Sequence, residues 1–332
     1  MMEDRKKDHI ELAFRSRTNS VEADNRFDYE PALGNHRPVP INHCFFGKTM
    51  TLPIWISSMT GGSPLSHQIN HSLAEVCNEY GMGMGLGSCR ILLDSDKYMP
   101  DFDVRAVIGK QPLLANLGIS QLEQLMDQKN TGKIDDLMER LDADGLIIHL
   151  NPLQEAFQPE GNQLSRSPID ILDEYLQCSP HKLVVKEVGQ GMGPRSLRRL
   201  LQMPLEAIEF GALGGTNFTM VELHRHNGIS TQHFLPFSKV GHTAEQMTRM
   251  VNQQKHELGD AIQVHSLIIS GGITNVLDGY YLTEISEMPA IFGMGSAFLK
   301  EAMDGSASLH NFVAGLAKGW QLAHQFLKVR KD

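Results

Sequence analysis

The feature that most constrains this chain is a recurring pattern. A short apolar run with β propensity ends in glycine or polar residues, and an amphipathic helix follows. The runs start near residues 52, 82, 112, 145, 182, 207, 266 and 290, mostly 24 to 37 residues apart. Eight such βα units predict a TIM (β/α)8 barrel, with residues 1–51 as an N-terminal extension and 52–332 as the barrel. The spacing predicts helices over Pro64 to Tyr80, Ser120 to Leu141, Pro194 to Leu201, Thr243 to Leu258 and Leu309 to Leu327. Residues 19–42 are polar and carry proline, and read as loop; the charged run from Glu3 to His9 reads as a solvated tail. The alternating glycines from Gly81 to Gly87 suggest close packing in the barrel wall rather than a phosphate loop. One interval is long. Between Asn217 and Ser266 lies an excursion with His224, His226, His233 and His242, either a lid or a disordered insertion. Its histidines lack metal-ligand spacing and read as solvated or packing residues.

The stretch from Gly145 to Glu155 is the most informative single segment. Leu146, Ile147 and Ile148 form a buried strand, and Pro152 stops it. The strand end then delivers His149, Asn151, Gln154 and Glu155, none of which a strand needs to fold. Chemistry in such barrels sits at the carboxyl ends of the strands. Collecting those ends gives Thr60, Ser88, Arg90, Asn116, His149, Asn151, Gln154, Glu155, Lys186 and Thr216. With them come two glycine elements, Ser270-Gly271-Gly272 and Gly293-Met294-Gly295, on the last two strands, where such barrels often hold a phosphate on backbone N–H groups. Lys186 is the one lysine at a strand end; it faces an anion or pairs with Glu187. Glu155 is a single carboxylate, which suits Mg²⁺ shared with substrate phosphate oxygens and is thin for zinc.

Bulk properties narrow the class. The chain has 332 residues, 41% of them hydrophobic, and a net charge of -9, so it lacks the basic footprint of a general nucleic-acid binder. Its four cysteines have no CxxC spacing, which fits a reduced, cytoplasmic chain. No apolar run is long enough for a membrane span, and the N-terminus lacks a signal peptide's apolar region. A Walker loop, an HExxH pair, a nucleophile elbow and a full dinucleotide fingerprint are all missing.

The motifs together resemble the type 2, FMN-dependent isopentenyl diphosphate isomerases. The likeness rests on Arg5 to His9, Met59-Thr60-Gly61-Gly62, Gly87-Ser88-Cys89-Arg90, Ala115 to Gly118, His149 to Glu155 with Phe157 to Gly161, Lys186-Glu187, Gly214 to Asn217 and Ser270 to Ile273. The resemblance implies that isopentenyl and dimethylallyl diphosphate are interconverted by a 1,3 proton shift, with reduced FMN as acid and base. It implies Mg²⁺ on the diphosphate, and NAD(P)H only as the reductant of FMN. It assigns Ser57, Ser58, Met59, Thr60, Ser88, Asn116, Lys186 and Thr216 to FMN, and Gly271, Gly272, Met294 and Gly295 to its phosphate. Arg5, Lys6, His9, Ser88, Arg90, His149, Asn151 and Gln154 would hold the substrate, and Glu155 the metal. Gln154, His149 and Lys186 would act in catalysis. Cys89 stands where the family usually has Gln, and Phe218 where it commonly has Trp. The expected partner is a small isoprenoid diphosphate, with neither nucleic acid nor membrane, in a symmetric homo-oligomer (tetramer or octamer). Two rivals stay open: an FMN oxidoreductase of the 2-hydroxy-acid oxidase type, and a non-catalytic flavin-binding protein.

Overall fold

Parallel strands with helices between them close on themselves. In the computed structural model, which describes residues 2–40, 42–63, 65–225 and 231–330, eight strands form the barrel. They are β1 (Ile54–Ile56), β2 (Gly83–Gly85), β3 (Leu113–Gly118), β4 (Gly145–Leu150), β5 (Leu183–Glu187), β6 (Ala207–Glu209), β7 (Ser266–Ser270) and β8 (Ala290–Met294). Each pairs in parallel with its chain neighbour, and β8 pairs with β1 to close the ring. The TIM barrel expected from the spacing is present.

Alternation along each strand fills the inside. Trp55, Leu114, Ile147, Val184, Ala207, Ile268 and Ile291 form an apolar interior layer. The glycines of β2 make room for it: a Cβ on Gly83 would meet Trp55 Cζ3 at 2.7 Å, and one on Gly85 would meet Ile147 Cδ1 at 2.6 Å. The close-packing reading of those glycines holds. Helices pack outside through a second, larger apolar cluster.

Residues before the barrel are more ordered than a tail and loop. The charged run is helical from Met2–Leu12, and the 19–42 stretch contains a strand, Phe27–Tyr29, antiparallel to Leu327–Val329 at the far end of the chain. A hairpin, His43–Phe45 with Lys48–Met50, turns through Phe46 (φ 55°) and Gly47 (φ 72°), both in the left-handed region that two-residue hairpin turns favour. It carries Phe45, Phe46 and Met50 into the apolar layer and so plugs the barrel floor.

The expected helix from Ser120 to Leu141 is two, Ile119–Asp127 and Gly132–Leu141. Lys129 takes φ 54°, and Asn130 N–H bonds back to Leu125 O at 2.8 Å, a glycine-type helix stop made without glycine. Other helices match their expected spans closely: Ser66–Tyr80, Pro194–Leu201, Ala244–Leu258 and Ser306–Phe326; Pro64 lies outside the described residues. The excursion is built rather than disordered where it is described. Phe218–Arg225 is helical, and Gln190 Nε2 donates to Phe237 O and Val240 O (2.9 and 2.6 Å), tying the segment to the end of β5. His226 lies outside the described residues. Among the described residues no helix is long and apolar enough to cross a membrane.

Candidate active site at the barrel mouth

Two residues beyond the apolar layer, most strands lead to an inward residue of another kind. The layer reads Ser57, Gly85, Asn116, His149, Lys186, Glu209, Ser270 and Gly293 from β1 to β8. Period-two geometry forces this: the same face continues, and on six of the eight strands the residue on it changes from apolar to polar, with glycine on β2 and β8. Lys186 lies opposite His149 on one side and Glu209 on the other. Ser57, Asn116, Lys186, Glu209 and Ser270 are all buried, which folding alone does not favour.

Around β5 to β8 and β1 the mouth is hollow. A cavity of about 440 Å³ is lined by Ser57, Ser58, Met59, Lys186, Thr216, Gly271, Gly272, Met294 and Gly295, all expected cofactor residues. Gly271 and Gly272 have φ of 99° and 73°, and a Cβ on Gly271 would sit 2.2 Å from Ala212 O. Backbone N–H groups can thus approach a ligand closely. The helix Ser296–Asp304 starts at the cavity wall, and Ser296 and Lys300 line it. A helix N-terminus with a lysine beside it suits a phosphate. Ser58 Oγ is buried there without a hydrogen-bond partner, as expected of a wall shaped for a polar ligand.

Around β3 and β4 the mouth is filled by side chains that bind one another. His149 Nδ1 meets Asn116 Oδ1 at 2.8 Å, so Nδ1 carries the hydrogen, and Asn116 Nδ2 donates to Leu86 O at 3.0 Å. Burial, and then the Lys186 charge, hold the His149 pKa down to about 3, so the imidazole is neutral near pH 7. Asn151 Nδ2 donates to Gln154 Oε1 and Glu155 Oε1, both at 3.2 Å. Glu155 also accepts from Ser120 Oγ (3.1 Å) and from the Asn162 N–H (2.7 Å). Gln154 Nε2 donates to Glu222 Oε1 at 3.1 Å, and Gln158 Nε2 to the same oxygen at 2.7 Å.

Lys186 does not pair with the Glu187 carboxylate. Its ammonium donates to Glu187 O at 3.2 Å, while Glu187 Oε2 collects the N–H groups of Gly189, Gln190 and Gly191 at 2.6 to 2.8 Å. The lysine is therefore left facing the cavity.

Other expected residues stand apart from the cavity. Thr60 Oγ1 is 3.0 Å from Ser66 Oγ, and Ser88 and Arg90 are exposed beyond β2. Cys89 between them is fully buried, so the departure from Gln lies in the core. Arg5, Lys6 and His9 are exposed along the N-terminal helix and do not line the cavity. Among the described residues no three His, Cys, Asp or Glu side chains gather as a metal site. Glu155 and the buried, unpartnered Asn151 Oδ1 beside it are oxygen donors of the kind Mg²⁺ takes, with phosphate and water able to complete the shell.

Sequence reasoning missed Glu209, Glu222 and Lys300. Alternation from Ala207 was the available signal for Glu209; Glu222 and Lys300 sit on helices, where a charge usually marks a solvated face.

No protein-family model matches the chain. Among curated proteins, the isopentenyl-diphosphate delta-isomerase of Rickettsia peacockii (strain Rustic) is 33% identical over 315 residues, covering 92% of this chain and 87% of its own length. That of Rickettsia typhi (strain ATCC VR-144 / Wilmington) is 32% identical over 306 residues, covering 90% and 86%. Among solved structures, a flavocytochrome b2 variant with sulfite bound superposes with a TM-score of 0.62 at 13% identity, covering 90% of this chain and 72% of its own. A mandelate oxidase variant with a monooxide FMN adduct gives 0.54 at 12% identity, covering 92% and 88%. At such identity these two speak for the fold alone. With a third of its residues shared over nearly its whole length, the chain belongs to the isopentenyl-diphosphate delta-isomerase family.

Proposed function

We propose that this protein interconverts isopentenyl and dimethylallyl diphosphate on FMN held in the mouth cavity. The observation that supports it most is the junction of two unlike surfaces. A glycine-walled cradle meets the His149 to Glu155 segment across Lys186.

The reaction adds a proton to a terminal alkene carbon and removes one from a carbon nearer the diphosphate, with no net redox change. Reduced FMN, when bound, supplies an electron-rich group that can give and take a proton. NAD(P)H would be consumed only to reduce it. The chain's own residues bind and orient. Gly271, Gly272, Gly295 and the start of the Ser296–Asp304 helix would hold the cofactor phosphate, with Ser57, Ser58, Met59, Lys186 and Thr216 along the rest of the cofactor. Thr60, Ser88 and Asn116 are the further cofactor contacts we assign. Lys186 would stabilise negative charge on the reduced ring; such a partner is worth on the order of 3 kcal/mol. His149, neutral and with Nδ1 protonated toward Asn116, presents Nε2 to a ligand. Glu222 aims the Gln154 amide. Glu155 would hold Mg²⁺ at the diphosphate, with Asn151 beside it, and Arg90, Arg5, Lys6, His9 and Ser88 would neutralise the phosphates. For the exposed N-terminal cations to reach the substrate, this helix would close on it. We assign a symmetric homo-oligomer, readable by sizing with light scattering.

The test is an anaerobic incubation with dithionite-reduced FMN, Mg²⁺ and isopentenyl diphosphate. Dimethylallyl diphosphate should form, with no stoichiometric loss of NAD(P)H when that reductant replaces dithionite. Oxidation of 2-hydroxy acids with neither diphosphate converted would make the protein an oxidoreductase instead.

A further inference from the structure

The Glu209 carboxylate has no part in the reading above. It is fully buried on β6, in the same inward layer as Lys186 and Ser270. Its Oε1 accepts from Ser57 Oγ at 2.6 Å and from Ser270 Oγ at 3.3 Å. Its Oε2 is buried with no hydrogen-bond partner. A buried carboxylate needs either a proton or a cation near it. The cation opposite it in register is Lys186, whose ammonium bonds to Glu187 O rather than to this carboxylate. The two charges therefore act on each other through space, both on the cavity wall. Burial pushes the Glu209 pKa up on balance; the Lys186 charge, the two serine hydroxyls and the Trp55 indole pull it part of the way back. His149, on the other flank of Lys186, stays neutral and cannot take the carboxylate's place.

We propose that Glu209 is a positioning residue that, through Lys186, sets how readily the cofactor in the mouth accepts electrons. This rests on the FMN reading above. In that reduction two electrons and one proton pass from a dihydronicotinamide, left as NAD(P)⁺, to the oxidised flavin, which gains one negative charge. Lys186 favours the added charge and Glu209 opposes it, in a site where low dielectric enlarges both effects. Ser57 and Ser270 donate to the carboxylate and Lys186 faces it, and these favour its charged form against the burial that disfavours it. A residue that merely filled space here would leave the potential where it is.

The experiment is a dye-referenced reductive titration of bound FMN in the wild type, Glu209→Gln and Ser270→Ala. Glu209→Gln should shift the oxidised-to-reduced equilibrium toward reduced flavin about tenfold, near 30 mV more positive for a two-electron couple. Ser270→Ala should move it the same way by less. An unmoved or more negative potential in Glu209→Gln overturns the proposal. Should Glu209→Gln fail to fold or to take up FMN, the sign of the Ser270→Ala shift decides, and no shift there overturns it as well. A wild type that binds no FMN removes the functional reading and this inference with it. A wild type that binds FMN, with potentials unchanged in the variants, removes the inference alone.

Discussion

The two halves of the barrel mouth are made of different material. From β6 round to β1 the wall is rich in glycine backbone and serine, with Met59, Met294 and Lys300 among them, around a cavity with the buried, unpartnered Ser58 Oγ. From β3 to β4 it is long polar side chains, most of which already bind each other. The first half is a preformed mould, which costs little to fill because glycine backbone cannot swing in to satisfy itself. The second is a closed network that a ligand must enter by replacing bonds that exist. The contrast matches the two jobs proposed: one half keeps a cofactor, the other exchanges substrate and product each turnover.

Three substitutions or conditions break or sharpen this contrast. Gly271→Val should have the largest effect. Its φ of 99° and the 2.2 Å approach of a Cβ to Ala212 O leave no room for a side chain. Strain of about 1–3 kcal/mol arises before any ligand contact is lost, so FMN affinity should fall roughly a hundredfold. Flavin fluorescence on titration checks it, and unchanged affinity would mean that the mould is elsewhere. Glu155→Gln should act more narrowly. The amide would face the Ser120, Asn151 and Asn162 donors with one acceptor fewer, costing roughly 1–3 kcal/mol. FMN uptake should survive, while activity and its response to Mg²⁺ are lost together; full activity in EDTA would refute the metal role.

Acid gives the smallest and most diagnostic effect. His149 is held down to about 3 in the fold, below the ~6.5 of an unfolded chain, so the unfolded state binds the extra proton first. Stability is fully present above pH ~6.5 and falls as pH drops below it toward the folded value. His324, against Tyr280 and Trp320, is held down to about 4 by burial first and adds to the same slope. The melting temperature of the apoprotein should decline between pH 6.5 and 4. His149→Gln should flatten that decline in part, and Gly272→Ala should not. An equal slope in all three proteins would place the acid sensitivity outside the side-chain half.

The same division explains what was legible in the sequence. The strands were readable because apolar runs recur at βα spacing, and the glycine half was readable because Ser270-Gly271-Gly272 and Gly293-Met294-Gly295 follow such runs directly. His149 to Glu155 was readable because four polar side chains crowd one strand end. Glu209 was hidden by its neighbours: Ala207, Ile208 and Phe210 make the segment look like one apolar run, although alternation from Ala207 places Glu209 inward. Glu222 was hidden by distance, since its bond to Gln154 joins residues 68 apart in sequence. The floor plug was hidden by a turn that puts Phe46 at positive φ, where glycine or asparagine is usual. The ribbon joining Phe27 to Val329 has no local signal, because each strand is defined only by the other.

The most direct measurement is a titration of FMN into the purified apoprotein, followed by quenching of flavin fluorescence. Saturation at one FMN per chain, weakened roughly a hundredfold by Gly271→Val and retained in Glu155→Gln, is the predicted result. Absence of saturable binding in the wild type, or equal loss in both variants, would contradict the division of the mouth into a cofactor mould and a substrate network.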